Sequence, residues 1–354
     1  MQRRTICVAG HVDHGKTALV AALTGHDTDR LPEEKRRGLS IEPGFAPLEL
    51  PGAPPMSLVD LPGHERFVRH MVAGASGVDA YLLCVACDDG VMPQTREHLM
   101  VLQALGSTRG VVALTKTDRE DSAAAERGVG ALLGREISVV PVCAPEGRGL
   151  DQLRQALAEV AAASPRRMAR GAGRLFVDRA FSVPGTGTVV TGTLWGAPID
   201  EGMEVQVHPS GARVRVRGLE VHGSRVGSVS AGRVAVNLAR ASLSEVGRGS
   251  CIGPAGELLG AVDRIDARIT WLPATRAELR SGRRLQLLLG TVQVAARCLL
   301  PKGSSIAYGA TGDLHLRLER PIPALAGDRF VLRDATPTTV GGGVVREVSA
   351  PPQE

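Results

Sequence analysis

Gly10-His11-Val12-Asp13-His14-Gly15-Lys16-Thr17 stands between an apolar run, Thr5 to Ala9, and a stretch with helical spacing, Ala18 to Leu23. A strand, a glycine-bounded loop and a helix opening on Lys-Thr is the arrangement that wraps a phosphate. Glycine lacks the Cβ that would hold a phosphate away from the backbone N–H groups, and the helix N-terminus adds the positive end of its dipole. In such a loop Lys16 neutralises the β- and γ-phosphates, and the Thr17 hydroxyl ligates Mg²⁺. The expected nucleotide-binding set here is Asp13, His14, Gly15, Lys16, Thr17 and Ala18.

Three further segments extend that reading. Asp60-Leu61-Pro62-Gly63-His64 follows the apolar run Ser57 to Val59, which puts Asp60 at a strand's carboxyl end. There it can hold Mg²⁺ through a water, while the Gly63 N–H can bond a γ-phosphate oxygen. His64 is the candidate to orient a hydrolytic water, because phosphoryl transfer depends on positioning. The alternative for His64 is an ordinary surface residue of a mobile loop. Arg37-Gly38-Leu39-Ser40-Ile41 resembles the other phosphate sensor, with Ser40 reaching Mg²⁺.

Thr115-Lys116-Thr117-Asp118 reads as the base reader. Guanine offers N1–H and an exocyclic amino group that one carboxylate, Asp118, can accept together; adenine has no N1–H and would leave that carboxylate partly unpaired. GTP and GDP are therefore expected over adenine nucleotides. Lys116 is expected along the base plane, and the Cys143-Ala144 turn is expected to give an N–H to guanine O6.

Residues 5 to 160 alternate apolar β runs with helical stretches such as Gln94 to Leu105 and Leu150 to Ala162, the rhythm of an α/β fold with a mostly parallel sheet and helices on both faces. Ala161-Ala162-Ala163-Ser164-Pro165-Arg166-Arg167 reads as a linker. Beyond Gly173 short β runs punctuated by glycine predict an antiparallel β-barrel, and a second all-β stretch runs from about Ala261 to Val348. Three domains are expected, at residues 1–170, 171–260 and 261–354.

The chain has 354 residues, is 43% apolar and only 3% aromatic, and carries a formal charge of +5, so it advertises no stacking surface for single-stranded nucleic acid. The basic excess fits either a polyanionic partner or a solvated surface. Met1-Gln2-Arg3-Arg4 leads straight into a strand, no apolar run reaches the ~20 residues of a membrane span, and a cytoplasmic protein with no membrane partner is expected. Six scattered cysteines suit reduced thiols. Cys84-Val85-Ala86-Cys87 lies in a buried-strand pattern, which favours packing over a metal or redox site.

These segments resemble the translational GTPases of the elongation factor Tu type, and Phe181-Ser182-Val183-Pro184-Gly185-Thr186-Gly187-Thr188-Val189-Val190-Thr191-Gly192 resembles their second-domain barrel. Leu31-Pro32-Glu33-Glu34-Lys35-Arg36-Arg37-Gly38, Val85 to Met92 and Gln94 to Leu99 resemble the selenocysteine-specific branch. The resemblance implies GTP-dependent carriage of selenocysteinyl-tRNA to a ribosome at a recoded UGA codon, with His64 completing hydrolysis. It also implies a monomer. At the mouth of the amino-acid pocket, where the general factor carries two adjacent carboxylates, this chain has Asp178-Arg179; a guanidinium there favours an ionised selenol over serine. Arg248 resembles a second pocket arginine. Both arginines could instead be plain barrel-surface residues.

Ser40 stands in place of the family's switch threonine, Cys143 in place of serine, and Thr115 where general factors prefer asparagine. Bacterial members of the specialised branch resemble this chain up to about Gly343 and then continue into winged-helix modules that bind an mRNA hairpin, so hairpin recognition is not expected from this sequence alone. Rival readings are an initiation-factor γ-subunit type of tRNA carrier, a GTP-gated scaffold that delivers no tRNA, and a GTPase subunit driving another enzyme such as a sulfate-activating adenylyltransferase.

Overall fold

The computed structural model describes residues 4–29, 32–37, 39–133, 137–164, 171, 173–256, 261–272, 277–335 and 338–349. The chain divides into two compact units, Met1–Arg167 and Met168–Glu354. Leu31, Gly38 and the Pro165-Arg166-Arg167 end of the expected linker lie outside the described residues, as does the expected boundary near Gly260.

The first unit runs β1 (Arg4–Gly10), α1 (Lys16–Thr24), α2 (Pro32–Arg37), β2 (Gly44–Leu48), β3 (Met56–Asp60), α3 (Val68–Ala75), β4 (Ala80–Ala86), α4 (Pro93–Ala104), β5 (Gly110–Thr115), α5 (Ala123–Leu133), β6 (Ser138–Pro141) and α6 (Leu150–Ala163). The sheet order is β2-β3-β1-β4-β5-β6, parallel throughout except for the antiparallel edge pair β2–β3. Every residue of β1, β3, β4 and β5 is buried, as expected of parallel strands covered by helices on both faces. The carboxyl ends of these four central strands deliver Gly10, Asp60, Ala86 and Thr115 to one edge of the sheet, where loops carry chemistry.

The linker reading needs one correction. Ala161, Ala162 and Ala163 belong to α6, and the helix stops only at Ser164, whose hydroxyl donates to the Val160 carbonyl. Three alanines are strong helix formers, so the run extends α6 rather than breaking it.

The second unit contains two antiparallel barrels. The first comprises β7 (Arg174–Val183), β8 (Gly187–Trp195), β9 (Ile199–Asp200), β10 (Glu204–His208), β11 (Arg213–Val221), β12 (Ser224–Val226), β13 (Ser228–Val229), β14 (Gly232–Ala239) and β15 (Cys251–Pro254). Its ring runs β10-β15-β7-β8-β14-β11 and closes through the β10–β11 pairing. The second comprises β16 (Val262–Trp271), β17 (Leu279–Arg280), β18 (Arg284–Leu289), β19 (Val292–Leu299), β20 (Ser305–Ile306), β21 (Thr311–Ile322), β22 (Arg329–Arg333) and β23 (Thr339–Ser349), closed in the order β16-β21-β19-β18-β22-β23. Strict alternation, as in β8 and β14, sends every second side chain inward and fills each barrel with Val, Leu and Ile.

The two barrels are joined by a buried ion pair. Arg174 Nη1 and Nη2 each lie 2.7 Å from a carboxylate oxygen of Asp328, and burial leaves the arginine 6% and the aspartate 7% exposed. Phe176, on β7, packs into the hydrophobic core of the other barrel and stacks at a tilt on Trp195 with ring centroids 4.5 Å apart.

Candidate functional site

The phosphate loop follows from backbone conformations that few side chains tolerate. Gly10 has φ +141°, and a Cβ there would stand 2.3 Å from the Cys84 carbonyl oxygen; Gly15 has φ +74°. Asp13 also adopts a left-handed conformation, with φ 60°. A cavity of about 300 Å³ opens over this loop, lined by Val12, Asp13, Gly15, Lys16, Thr17, Ala18, Asp29, Leu39, Ser40 and Gly63. Lys16 is buried, its ammonium donates to the His11 carbonyl at 2.5 Å, and desolvation lowers its pKa. Gly63 closes on the loop: a Cβ there would meet Lys16 Nζ at 2.5 Å and the Val12 nitrogen at 2.9 Å.

Thr17, Ser40 and Asp60, the three expected metal ligands, converge. The Thr17 hydroxyl donates to Asp60 Oδ2 at 2.7 Å and lies 3.1 Å from the Ser40 hydroxyl. Two residues that sequence reasoning missed complete the group: Thr28 donates to Asp60 Oδ2 at 2.8 Å, and the Ser40 hydroxyl donates to Asp29 Oδ1 at 2.8 Å. The other oxygen of Asp60, Oδ1, is buried without a hydrogen-bond partner, and burial raises the carboxyl's pKa. A buried carboxylate with an orphan oxygen beside two hydroxyls is a hard-oxygen donor set, which fits Mg²⁺. Glu34 shapes the segment that carries Ser40: its Oε1 accepts the N–H groups of Ile41 and Glu42 at 3.0 and 3.1 Å.

His64 is half-buried, and its Nδ1 accepts the Arg66 N–H at 3.2 Å, starting the short 3₁₀ turn Glu65–Phe67. The ring lies 5.9 Å from Phe67, which stacks on His70, whose Nδ1 is 2.6 Å from the Ile41 carbonyl. The His64 loop and the Ser40 segment are thereby tied together.

His14 and Thr115 bring only backbone or bracing groups. His14 is fully buried, with Nδ1 3.3 Å from both the Cys84 carbonyl and the Ala86 nitrogen, and burial lowers its pKa to about 4. The Thr115 hydroxyl donates to the His14 carbonyl at 2.8 Å, so the residue at the usual asparagine position braces the base-reading loop against the phosphate loop. Lys116, in a left-handed conformation with φ 59°, is anchored by Asp88 at 3.0 Å. The Cys143 thiol stands 3.5 Å from Asp118 Oδ1, and the turn carrying Cys143 and Ala144 is closed by the Cys143 N–H on the Arg148 carbonyl at 3.0 Å. Asp118, Cys143 and Ala144 therefore share one corner.

In the first barrel, Asp178 is the extra residue of a bulge between Val177 and Arg179 on β7. Its carboxylate is held by the Arg233 guanidinium, with Nη2 3.1 Å from Oδ1, and by the Thr191 hydroxyl at 2.7 Å. Arg179 is the next residue, half-buried, opposite Thr191. Arg233 and Thr191 were not among the sequence-derived candidates. Arg248 is exposed in a loop whose Gly249 N–H bonds the Val177 carbonyl at 3.0 Å, so its loop flanks the same strand.

The elongation factor Tu GTP binding domain family matches residues 1–163. The selenocysteine-specific elongation factor of Desulfomicrobium baculatum is 40% identical over 349 residues, covering 95% of this chain and 54% of that protein. Elongation factor Tu 2 of Streptomyces avermitilis is 32% identical over 375 residues, covering 96% of this chain and 95% of that one. The crystal structure of a bacterial selenocysteine-specific elongation factor superposes with a TM-score of 0.87 at 33% identity, over 97% of this chain and 58% of that one. The chain thus spans about half the length of its selenocysteine-specific relatives. It belongs to the elongation factor Tu-type translational GTPases and is similar to their selenocysteine-specific branch along nearly its whole length.

Proposed function

We propose that this chain binds GTP with Mg²⁺, carries selenocysteinyl-tRNA in the GTP state, and delivers it to a ribosome at a recoded UGA codon, where hydrolysis to GDP releases it. The work is that of a cytoplasmic monomer; among the described residues no helix is long and apolar enough to cross a membrane.

Thr17, Ser40 and Asp60 are the residues that would hold Mg²⁺, which when bound neutralises charge on the β- and γ-phosphates. Lys16 adds a fixed positive charge to those phosphates, and its low hydration in the buried loop strengthens that interaction. Gly63 presents its N–H where no side chain intervenes. His64 orients the attacking water, its ring fixed by the Arg66 N–H and Phe67. Asp118 selects guanine, with Cys143 and Ala144 at O6.

The observation that carries the choice of cargo is the Asp178, Arg179 and Arg233 group. Asp178 is engaged by the Arg233 guanidinium, and Arg179 is its neighbour on β7, so the three residues together carry one formal positive charge in excess. Such a group leaves net positive charge for an anionic selenolate and offers uncharged serine no matching advantage. The test is competition between selenocysteinyl- and seryl-tRNA for the GTP-bound chain, with Arg179→Asp beside the wild type. The wild type is expected to prefer the selenol, and the variant to lose that preference. An unchanged preference in the variant removes the pocket argument.

A further inference from the structure

The chain from His64 onward is spaced to stack rings. His64, Phe67 and His70 recur every three positions through the 3₁₀ turn Glu65–Phe67 and the first turn of α3, a spacing that sets side chains one above another in either kind of helix. The rings form a column. His64 and Phe67 have centroids 5.9 Å apart at 58°, and Phe67 and His70 have centroids 5.9 Å apart at 17°, so the second pair is nearly parallel. All three residues are half-buried.

The far end of the column is fastened to the segment that follows Ser40. A carbonyl oxygen only accepts, so His70 Nδ1 carries the hydrogen and donates to the Ile41 carbonyl at 2.6 Å. Glu34 takes the Ile41 N–H at 3.0 Å, which leaves both backbone groups of the residue next to Ser40 engaged. One turn further along α3, on the same face as His70, Gly74 lets the segment come close: a Cβ there would stand 3.1 Å from the Pro43 ring. Residues 41–43 therefore rest against α3, and His70 joins that support to the ring column. At the near end, His64 Nδ1 accepts the Arg66 N–H, which places the proton of the neutral ring on Nε2.

We propose that His70 is a positioning residue for GTP hydrolysis, making the placement of His64 depend on the segment that carries Ser40. With the segment in place, the Ile41 carbonyl fixes the His70 ring, that ring supports one face of Phe67, and Phe67 limits the swing of the His64 ring about its bond to Arg66. With the segment withdrawn, His70 loses its acceptor and the column loses its outer support. None of the three rings lines the cavity over the phosphate loop, so disorder in the column leaves nucleotide affinity intact. The rate is sensitive to it, because attack requires a water held in line. The inference rests on the reading of His64 as the residue that orients that water.

The test is single-turnover GTP hydrolysis by the full chain on ribosomes, with nucleotide affinity and melting temperature measured alongside, for H70A, H70N, F67L, H64A and H64A/H70A. H70A should bind GTP and GDP as the wild type does and hydrolyse GTP at least ~10-fold more slowly, the scale of loss for a displaced reacting group. H64A/H70A should be no slower than H64A, because a residue that acts through His64 is silent once the imidazole is gone. H70N keeps a donor near the Nδ1 position and removes the ring. Hydrogen exchange at the Ile41 and Glu42 amides should then stay at the wild-type level while hydrolysis remains slow, whereas H70A should raise that exchange. F67L, with the His70 donor intact, should slow hydrolysis without changing exchange, so a folding defect in H70A does not decide the question. Wild-type hydrolysis in H70N or F67L overturns the proposal, as does a further loss in H64A/H70A beyond that of H64A. Both results leave the His64 reading standing when H64A itself is slow. Wild-type hydrolysis in H64A removes that reading and the positioning role together.

Discussion

The backbone N–H of Gly10 donates to Nδ1 of His98 at 3.1 Å, joining the first residue of the phosphate loop to a fully buried histidine of α4. One turn earlier on the same helix, Gln94 Oε1 accepts the Val12 N–H at 3.4 Å. Two amides of the loop are thus held by α4. His98→Ala would leave the Gly10 N–H buried and unsatisfied, at a cost of about 1–3 kcal/mol. The expected result is a lower melting temperature and GDP binding weakened by roughly 10-fold, read by fluorescence titration. Gln94→Ala should move both in the same direction by less. Unaltered GDP affinity in both variants would separate α4 from loop positioning.

Burial lowers the pKa of His98 to about 3 and that of His14 to about 4, against an ordinary value of 6.5. The folded state therefore binds fewer protons than the unfolded state between those limits. Stability from these two groups is complete above about pH 7 and is lost as pH falls through 6.5 toward the folded values. Each contributes a slope of about 1.4 kcal/mol per pH unit at most. Denaturant titrations from pH 7 to pH 5 should show this decline, and His98→Ala should flatten it. An identical decline in the variant would contradict the assignment.

Asp60 is buried with Oδ1 unpaired. Asp60→Asn removes the charge and keeps an oxygen for the Thr17 and Thr28 hydroxyls. The nucleotide-free protein should melt no lower than wild type, while the tightening of GTP binding by Mg²⁺ should disappear. Calorimetric titration with and without Mg²⁺ measures this directly. A Mg²⁺ effect of wild-type size would remove Asp60 from the donor set.

Lys16→Ala should abolish nucleotide binding. His64→Ala should leave binding intact and slow ribosome-stimulated hydrolysis by at least ~100-fold, the loss expected when a positioning group is removed. Undiminished hydrolysis in single-turnover measurements would exclude His64 from the mechanism.

Replacing one partner of the Arg174–Asp328 pair leaves a buried charge uncompensated, at a cost of about 3–5 kcal/mol. Asp328→Ala should therefore lower the unfolding midpoint of the barrel unit strongly, with the GTP affinity of the chain less affected. A small shift would show that Phe176 and its surroundings hold the barrels together without the ion pair.

The sequence made the central strands legible because their apolar runs are continuous, and the barrels legible because Glu204–His208, Arg284–Leu289, Val292–Leu299 and Arg329–Arg333 are bounded by turn residues. β2 escaped notice because Gly44-Phe45-Ala46-Pro47-Leu48 contains a proline, tolerated only since the strand lies at the sheet edge. α3 was hidden by Gly74, where a Cβ would meet the Leu61 side chain at 2.7 Å. Within the site, the loop motifs announce Lys16, Thr17, Asp60 and Asp118 through fixed spacing. Thr28, Asp29 and His98 come from segments without such spacing and reach the loop only through the fold. Arg233 stands 55 positions from Asp178 and meets it across β8, so only the register of β7, β8 and β14 reveals the pair.

The most direct measurement is protection of the aminoacyl ester bond from spontaneous hydrolysis, with selenocysteinyl-, seryl- and initiator methionyl-tRNA each tested in GTP and in GDP. The proposed function predicts protection of selenocysteinyl-tRNA in GTP, little protection of the other two, and none in GDP. Protection of initiator methionyl-tRNA instead, or of no aminoacyl-tRNA in either nucleotide, would contradict it.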